Sequence, residues 1–70
     1  MEPAEQFALN LRSARDHAGL SQEELSERSG LHSTEISRLE RGVREPRLGT
    51  IVRLARGLGL PPADLLADIR

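Results

Sequence analysis

Between residues 33 and 47 the chain sets out polar side chains of a particular kind: Ser33, Thr34, Ser37 and Arg38, then Arg41, Arg44 and Arg47. Hydroxyls both donate and accept hydrogen bonds, while the guanidinium fork donates in pairs. Arg matches O6 and N7 of guanine, with about 1–3 kcal/mol of discrimination against a wrong base. Ser and Thr are less selective, and the Thr methyl meets a thymine methyl. From Arg41 to Arg56 there are five arginines and one acid, a local balance of +4 in a chain whose net charge is −1. A local basic face supports phosphate binding even where the total charge argues against it. The acids gather elsewhere, in Glu23, Glu24 and Glu27 and towards both ends. Hydrogen bonding to base edges and phosphates is therefore the chemistry these residues offer.

Such side chains need a helix that holds them outward. Ser21 to Gly42 reads as two short helices joined by a tight turn. Ser21 and Glu24 form a Ser-x-x-Glu capping box at the start of the first. Gly30 stops that helix, in a place where a left-handed backbone suits glycine. Leu31 follows as a plug. Ile36 and Leu39, three residues apart, turn inward on the second helix with Leu25 and Leu31 behind them. Ser33, Thr34, Ser37, Arg38 and Arg41 are left facing outward.

The stretch resembles the helix-turn-helix of the Cro/phage-repressor family, also called the XRE family. The residues that carry the likeness are Gly-Leu-Ser-Gln-Glu-Glu-Leu at 19–25, Gly30-Leu31, Ile36, and Leu39-Glu40-Arg41-Gly42. It continues through Pro46 and Leu54-Ala55-x-x-Leu58-Gly59-Leu60, so it covers residues 6 to 66. The resemblance implies an all-α, compact, five-helix, lambda-repressor-like DNA-binding domain. It places the second helix of the motif in the major groove, its N-terminal residues toward base edges. Ser33, Thr34, Ser37 and Arg38 are then the base contacts, with a phosphate contact as the other option for Arg38. Ser21, Gln22, Arg41, Arg44 and Arg47 are the phosphate contacts, which fix register and carry little sequence information. Family members often pair Arg and Glu at the positions of Arg15 and Glu40, which implies a structural ion pair tying helix 1 to the end of helix 3. Two positions depart from the family pattern. Ser26 stands where Ala is common and needs its hydroxyl bonded back to the helix. His32 stands where Ser or Thr is the usual cap, so either His32 caps weakly or Ser33 takes the cap.

The rest of the chain is read as one domain over residues 1–70, with helices at about 4–18, 22–29, 33–41, 48–58 and 62–68. Phe7, Leu11, Ala14 and Ala18 form a stripe on helix 1. Helix 4 buries Ile51, Leu54, Ala55 and Leu58, and Gly49 and Gly57 weaken it by about 1 kcal/mol each relative to Ala. Seventy residues suit a small helical core. The chain has no cysteine, and His17 and His32 lack metal-ligand spacing, so neither a metal nor a cofactor is expected. No apolar run suits a membrane span and no signal-type segment opens the chain, so a cytoplasmic protein is the simplest reading. Asp16 beside His17 lacks a nucleophile, and an enzyme finds little support.

The expected function is a sequence-specific regulator of transcription bound to duplex DNA as a homodimer on a palindromic operator. Half-sites would lie about 34–36 Å apart, and Leu60, Pro62, Leu65 and Ile69 are the candidate self-contact. Small phage-type repressors, restriction–modification controllers and antitoxin regulators all fit. The alternative, which the net charge favours slightly, is a protein-interaction module such as an antitoxin or partner-docking domain with little DNA binding.

Overall fold

The computed structural model describes residues 1–70 and is all-helical. Four α-helices run α1 Pro3–His17, α2 Gln22–Ser29, α3 Ser33–Glu40 and α4 Leu48–Leu58, followed by a 3₁₀-helix at Pro62–Leu66. Each start and stop has a local cause. Pro3 opens α1, where its missing N–H costs nothing. The Glu2 N–H donates to Glu5 Oε1 at 2.8 Å, one half of a reciprocal cap. At α2 the Ser21 hydroxyl accepts from the Glu24 N–H at 3.0 Å, and the Ser21 N–H donates to Glu24 Oε1 at 2.8 Å. Gly30 ends α2 with φ of 78°, as the turn requires.

The core joins all five elements. Phe7 and Leu11 of α1, Leu20, Leu25 of α2, Ile36 and Leu39 of α3, Ile51, Leu54 and Ala55 of α4, and Leu65 form one buried cluster. Burying each of the larger side chains stabilises the fold by roughly 1.5–3 kcal/mol relative to exposure. α1 packs on α3 and on the 3₁₀-helix, α2 packs on α3 and α4, and α4 also covers the 3₁₀-helix. The helix-turn-helix is therefore wedged between α1 and α4, and α3 is gripped along one side only.

Several expectations need correction. The last element is a single 3₁₀ stretch ending at Leu66, not an α-helix to residue 68. Pro61 and Pro62 supply no N–H, and five residues are too few for an α-helical ladder to propagate. Ala18 lies outside the α1 stripe; it is the exposed cap residue after His17. Arg41 caps α3 and is not part of it. Of the two caps left open, His32 holds the N-cap position, with no side-chain bond, and α3 starts at Ser33 as expected. The Ser26 hydroxyl does not bond back into α2. It donates to the Leu31 carbonyl, and so closes the turn itself.

Gly57 is buried for a tertiary reason. A Cβ placed there would lie 3.2 Å from Leu25 Cδ1 and 3.3 Å from the Ser29 backbone nitrogen. Its bare backbone lets α4 come close to α2.

Candidate nucleic-acid interface

α3 presents a polar edge because its apolar residues are used up on the other side. Ile36 and Leu39 are fully buried, Thr34 and Arg38 are exposed, and Ser33 and Ser37 are half-buried on the flanks. Thr34 and Arg38 are four residues apart, so they stack on one face. Arg38 has no bond to another protein side chain and its five donors are available. Arg41 and Arg47 are exposed at the two ends of the loop between α3 and α4.

The far end of this edge is fixed by a buried knot around Glu40, which is 3% exposed. Arg15 Nε donates to Glu40 Oε2 at 2.6 Å and Arg15 Nη2 to Oε1 at 2.9 Å. Arg15 Nη1 donates to the Leu20 carbonyl at 2.8 Å, so the same guanidinium also holds the link between α1 and α2. The bonds to Glu40 raise the Arg15 pKa above its ordinary value, which keeps it charged. Gln22 Nε2 adds a third bond to Glu40 Oε1 at 3.1 Å, so this amide braces α3 against α2. The Arg15–Glu40 contact ties α1 to the last residue of α3.

Two polar ties were not visible in the sequence. Arg12 Nη2 donates to the Glu40 backbone carbonyl at 2.6 Å and satisfies one of the carbonyls that the end of α3 leaves open. Asn10 Nδ2 donates to the Leu65 and Ala67 carbonyls at 3.0 and 2.8 Å, fastening the C-terminal segment to α1. An Arg or Asn on an outer helix position carries no sequence mark that names a carbonyl 28 or 55 residues away.

The structure separates the candidate phosphate contacts. Ser21 spends its hydroxyl oxygen on the Glu24 N–H and its backbone N–H on the Glu24 carboxylate, so it is taken up by the cap. Gln22 is half-buried and turned to Glu40, which leaves the backbone of the first turn of α2 as the open donor set. Arg44 donates to Glu35 Oε1 at 3.1 Å, and so is tied to α3 while half of its side chain stays in solvent. The candidate self-contact is corrected at one residue. Leu65 is fully buried and closes the monomer core, so it has no surface to give. Leu60 and Ile69 are half-buried and Pro62 is exposed. Leu66, the residue after Leu65, is exposed by 41%. No helix is long and apolar enough to cross a membrane.

Two short helices at a glycine turn, the second with an exposed Thr/Arg edge, define a helix-turn-helix protein. A helix-turn-helix family model matches residues 11–65, and the chain belongs to that family of DNA-binding transcriptional regulators, a class without enzymatic activity. Control protein C.SmaI of Serratia marcescens is 44% identical over 66 residues, covering 94% of this chain and 79% of that protein. An uncharacterised helix-turn-helix-type transcriptional regulator of Sinorhizobium fredii is 46% identical over 70 residues, but the chain spans only 36% of its length. Among solved structures, the restriction-modification controller protein C.AhdI from Aeromonas hydrophila matches with a TM-score of 0.86 at 39% identity, covering 89% of this chain and 94% of that one.

Proposed function

We propose that the chain is a sequence-specific regulator of the controller type, with α3 in the major groove of its operator. The observation that carries this reading is the exposed Thr34/Arg38 edge, held at a fixed angle by Ile36, Leu39 and the Glu40 knot behind it. Thr34 with Ser33 and Ser37 meets base edges, and Arg38 reaches a guanine further along the groove. Arg41, Arg44 and Arg47, with the free backbone N–H of Gln22 at the start of α2, hold the phosphates on either side.

An eight-residue helix covers only a few base pairs, so a second copy supplies the rest of the operator. The C-terminal segment offers Leu60, Pro62, Leu66 and Ile69 for that contact. A homodimer on a palindromic site follows, and the cytoplasm is its place of action.

Selection of bound fragments from a random duplex library tests the reading, with sedimentation equilibrium for the dimer. An enriched palindrome, with binding that falls steeply as salt is added, supports it. Retention of no duplex, together with salt-insensitive capture of a protein partner, overturns it in favour of an interaction module.

A further inference from the structure

α3 carries one carboxylate outside the buried knot, Glu35, in its first turn. It follows Thr34 by one residue, about 100° round the helix, and lies on the flank toward the loop, opposite Ser37. Its side chain is 25% exposed. Arg44, nine residues on, donates from Nη1 to Glu35 Oε1 at 3.1 Å, and Oε2 accepts no bond. The other Arg44 donors are unused, and that side chain is 52% exposed.

A bare carboxylate here would repel the phosphates that the neighbouring arginines attract. Pairing with Arg44 removes most of that repulsion and fixes the direction of the side chain, yet leaves one oxygen free. A carboxylate accepts and never donates. In the major groove guanine shows only acceptors, and thymine an acceptor and a methyl. Adenine offers its N6 donor beside N7, an acceptor that opposes the second carboxylate oxygen. Cytosine N4 is flanked on its own base by C5–H and meets an acceptor only on the paired guanine, so it is the donor that best suits a carboxylate.

We propose that Glu35 is a specificity-determining residue that selects cytosine at one base pair of each half-site, with Arg44 as its positioning partner. This rests on the placement of α3 in the groove proposed above. Glu35 joins Thr34 and Arg38 as a reader, and Arg44 couples the loop to the bases through it.

The test is the same random-duplex selection, run on the wild type, Glu35→Gln, Glu35→Ala and Arg44→Ala, with duplex titrations of these and of Arg44→Ala combined with Glu35→Gln, and circular dichroism on each to establish that helix content is kept. Wild type should enrich cytosine at one position per half-site. Gln bonds adenine at N6 and N7, so Glu35→Gln should move that position alone from cytosine to adenine, a change in preference of roughly 5- to 150-fold. Glu35→Ala should lose the preference there and keep the others. Arg44→Ala should weaken binding by a larger factor in the wild type than in the Glu35→Gln background, because only the former leaves an unpaired carboxylate. If the wild type, Glu35→Gln and Glu35→Ala all enrich the same sequence, the cytosine assignment is overturned while the groove reading stands. Equal factors for Arg44→Ala in both backgrounds overturn the positioning role. A wild type that enriches no sequence overturns the groove reading, and this inference with it.

Discussion

Arg15 holds Glu40 through two parallel bonds, 2.6 and 2.9 Å long, and this joins α1 to the last turn of the helix that faces outward. The contact lies under the fold, with 16% of the Arg15 side chain and 3% of the Glu40 side chain exposed. Its effect is to set the tilt of α3, because Gln22 and the Arg12 bond to the Glu40 carbonyl converge on the same residue. The polar edge is therefore positioned by charges that never reach the partner.

Removing one half of that contact is expected to be severe. Arg15→Ala leaves the Glu40 carboxylate buried with only Gln22 as a donor, and should cost about 3–5 kcal/mol. For a domain of this size that lowers the unfolding midpoint by more than about 10 °C. The double change Arg15→Met with Glu40→Leu should cost less than Arg15→Ala alone, since no charge is then stranded. Urea unfolding of the three proteins measures both differences. A loss below about 1 kcal/mol for Arg15→Ala, the range of exposed pairs, would show that the knot is not structural.

The two helical glycines of α4 should respond to alanine with opposite signs. Gly49 is exposed, with nothing within 4 Å of an added Cβ, so Gly49→Ala should stabilise by about 0.5–1 kcal/mol. At Gly57 the same methyl meets Leu25 Cδ1 at 3.2 Å and, at 3.3 and 3.4 Å, backbone atoms of Ser29 and Arg28 that cannot swing aside. Overpacking of this kind costs about 1–3 kcal/mol, which outweighs the gain in helix propensity. Thermal unfolding decides it, and a stabilised Gly57→Ala protein would mean that α2 and α4 separate without penalty.

That contrast shows what the sequence carries and what it does not. Helix-forming stretches, the capping box at Ser21 and Glu24, the left-handed Gly30 and the inward set Leu25, Ile36 and Leu39 are local or periodic properties, and residue spacing reveals them. Gly57 reads along the chain as a weak spot in α4, because the approach of α2 has no counterpart in neighbouring residues. Leu65 and Leu66 are adjacent apolar residues, and only the docking of the 3₁₀-helix on α1 and α4 decides which is buried. Within the candidate interface, Thr34 and Arg38 were legible from helix periodicity. The Glu35–Arg44 pair was not, since it depends on how the loop folds back on α3.

The cap of α2 should make stability depend on acid. The Ser21 backbone N–H, and then its hydroxyl, hold the Glu24 carboxyl below its usual pKa. The folded state therefore binds this proton less readily than the unfolded chain does. The contribution is complete above the unfolded value of about 4.3 and is lost as pH falls through the lower folded value. Melting midpoints measured from pH 6 downward should drop more steeply for the wild type than for Glu24→Gln across that window. Parallel curves would show that the Ser21–Glu24 contact does not persist in solution.

Arg38 and Arg47 should separate base reading from phosphate holding. Arg38 lies one turn beyond Thr34 on the outward face of α3, whereas Arg47 stands at the start of α4 beside the loop. Arg38→Ala should weaken the preferred duplex by about 1–3 kcal/mol and relax the choice at one or two base pairs, with little change on unrelated DNA. Arg47→Ala should weaken all duplexes alike and reduce the slope of log affinity against log salt by about 1 for each protomer bound. Both follow from titrations of a preferred and a scrambled duplex at several salt concentrations. If Arg38→Ala lowers affinity equally on the two duplexes, then Arg38 holds a phosphate, and the reading of bases falls to Ser33, Thr34, Glu35 and Ser37.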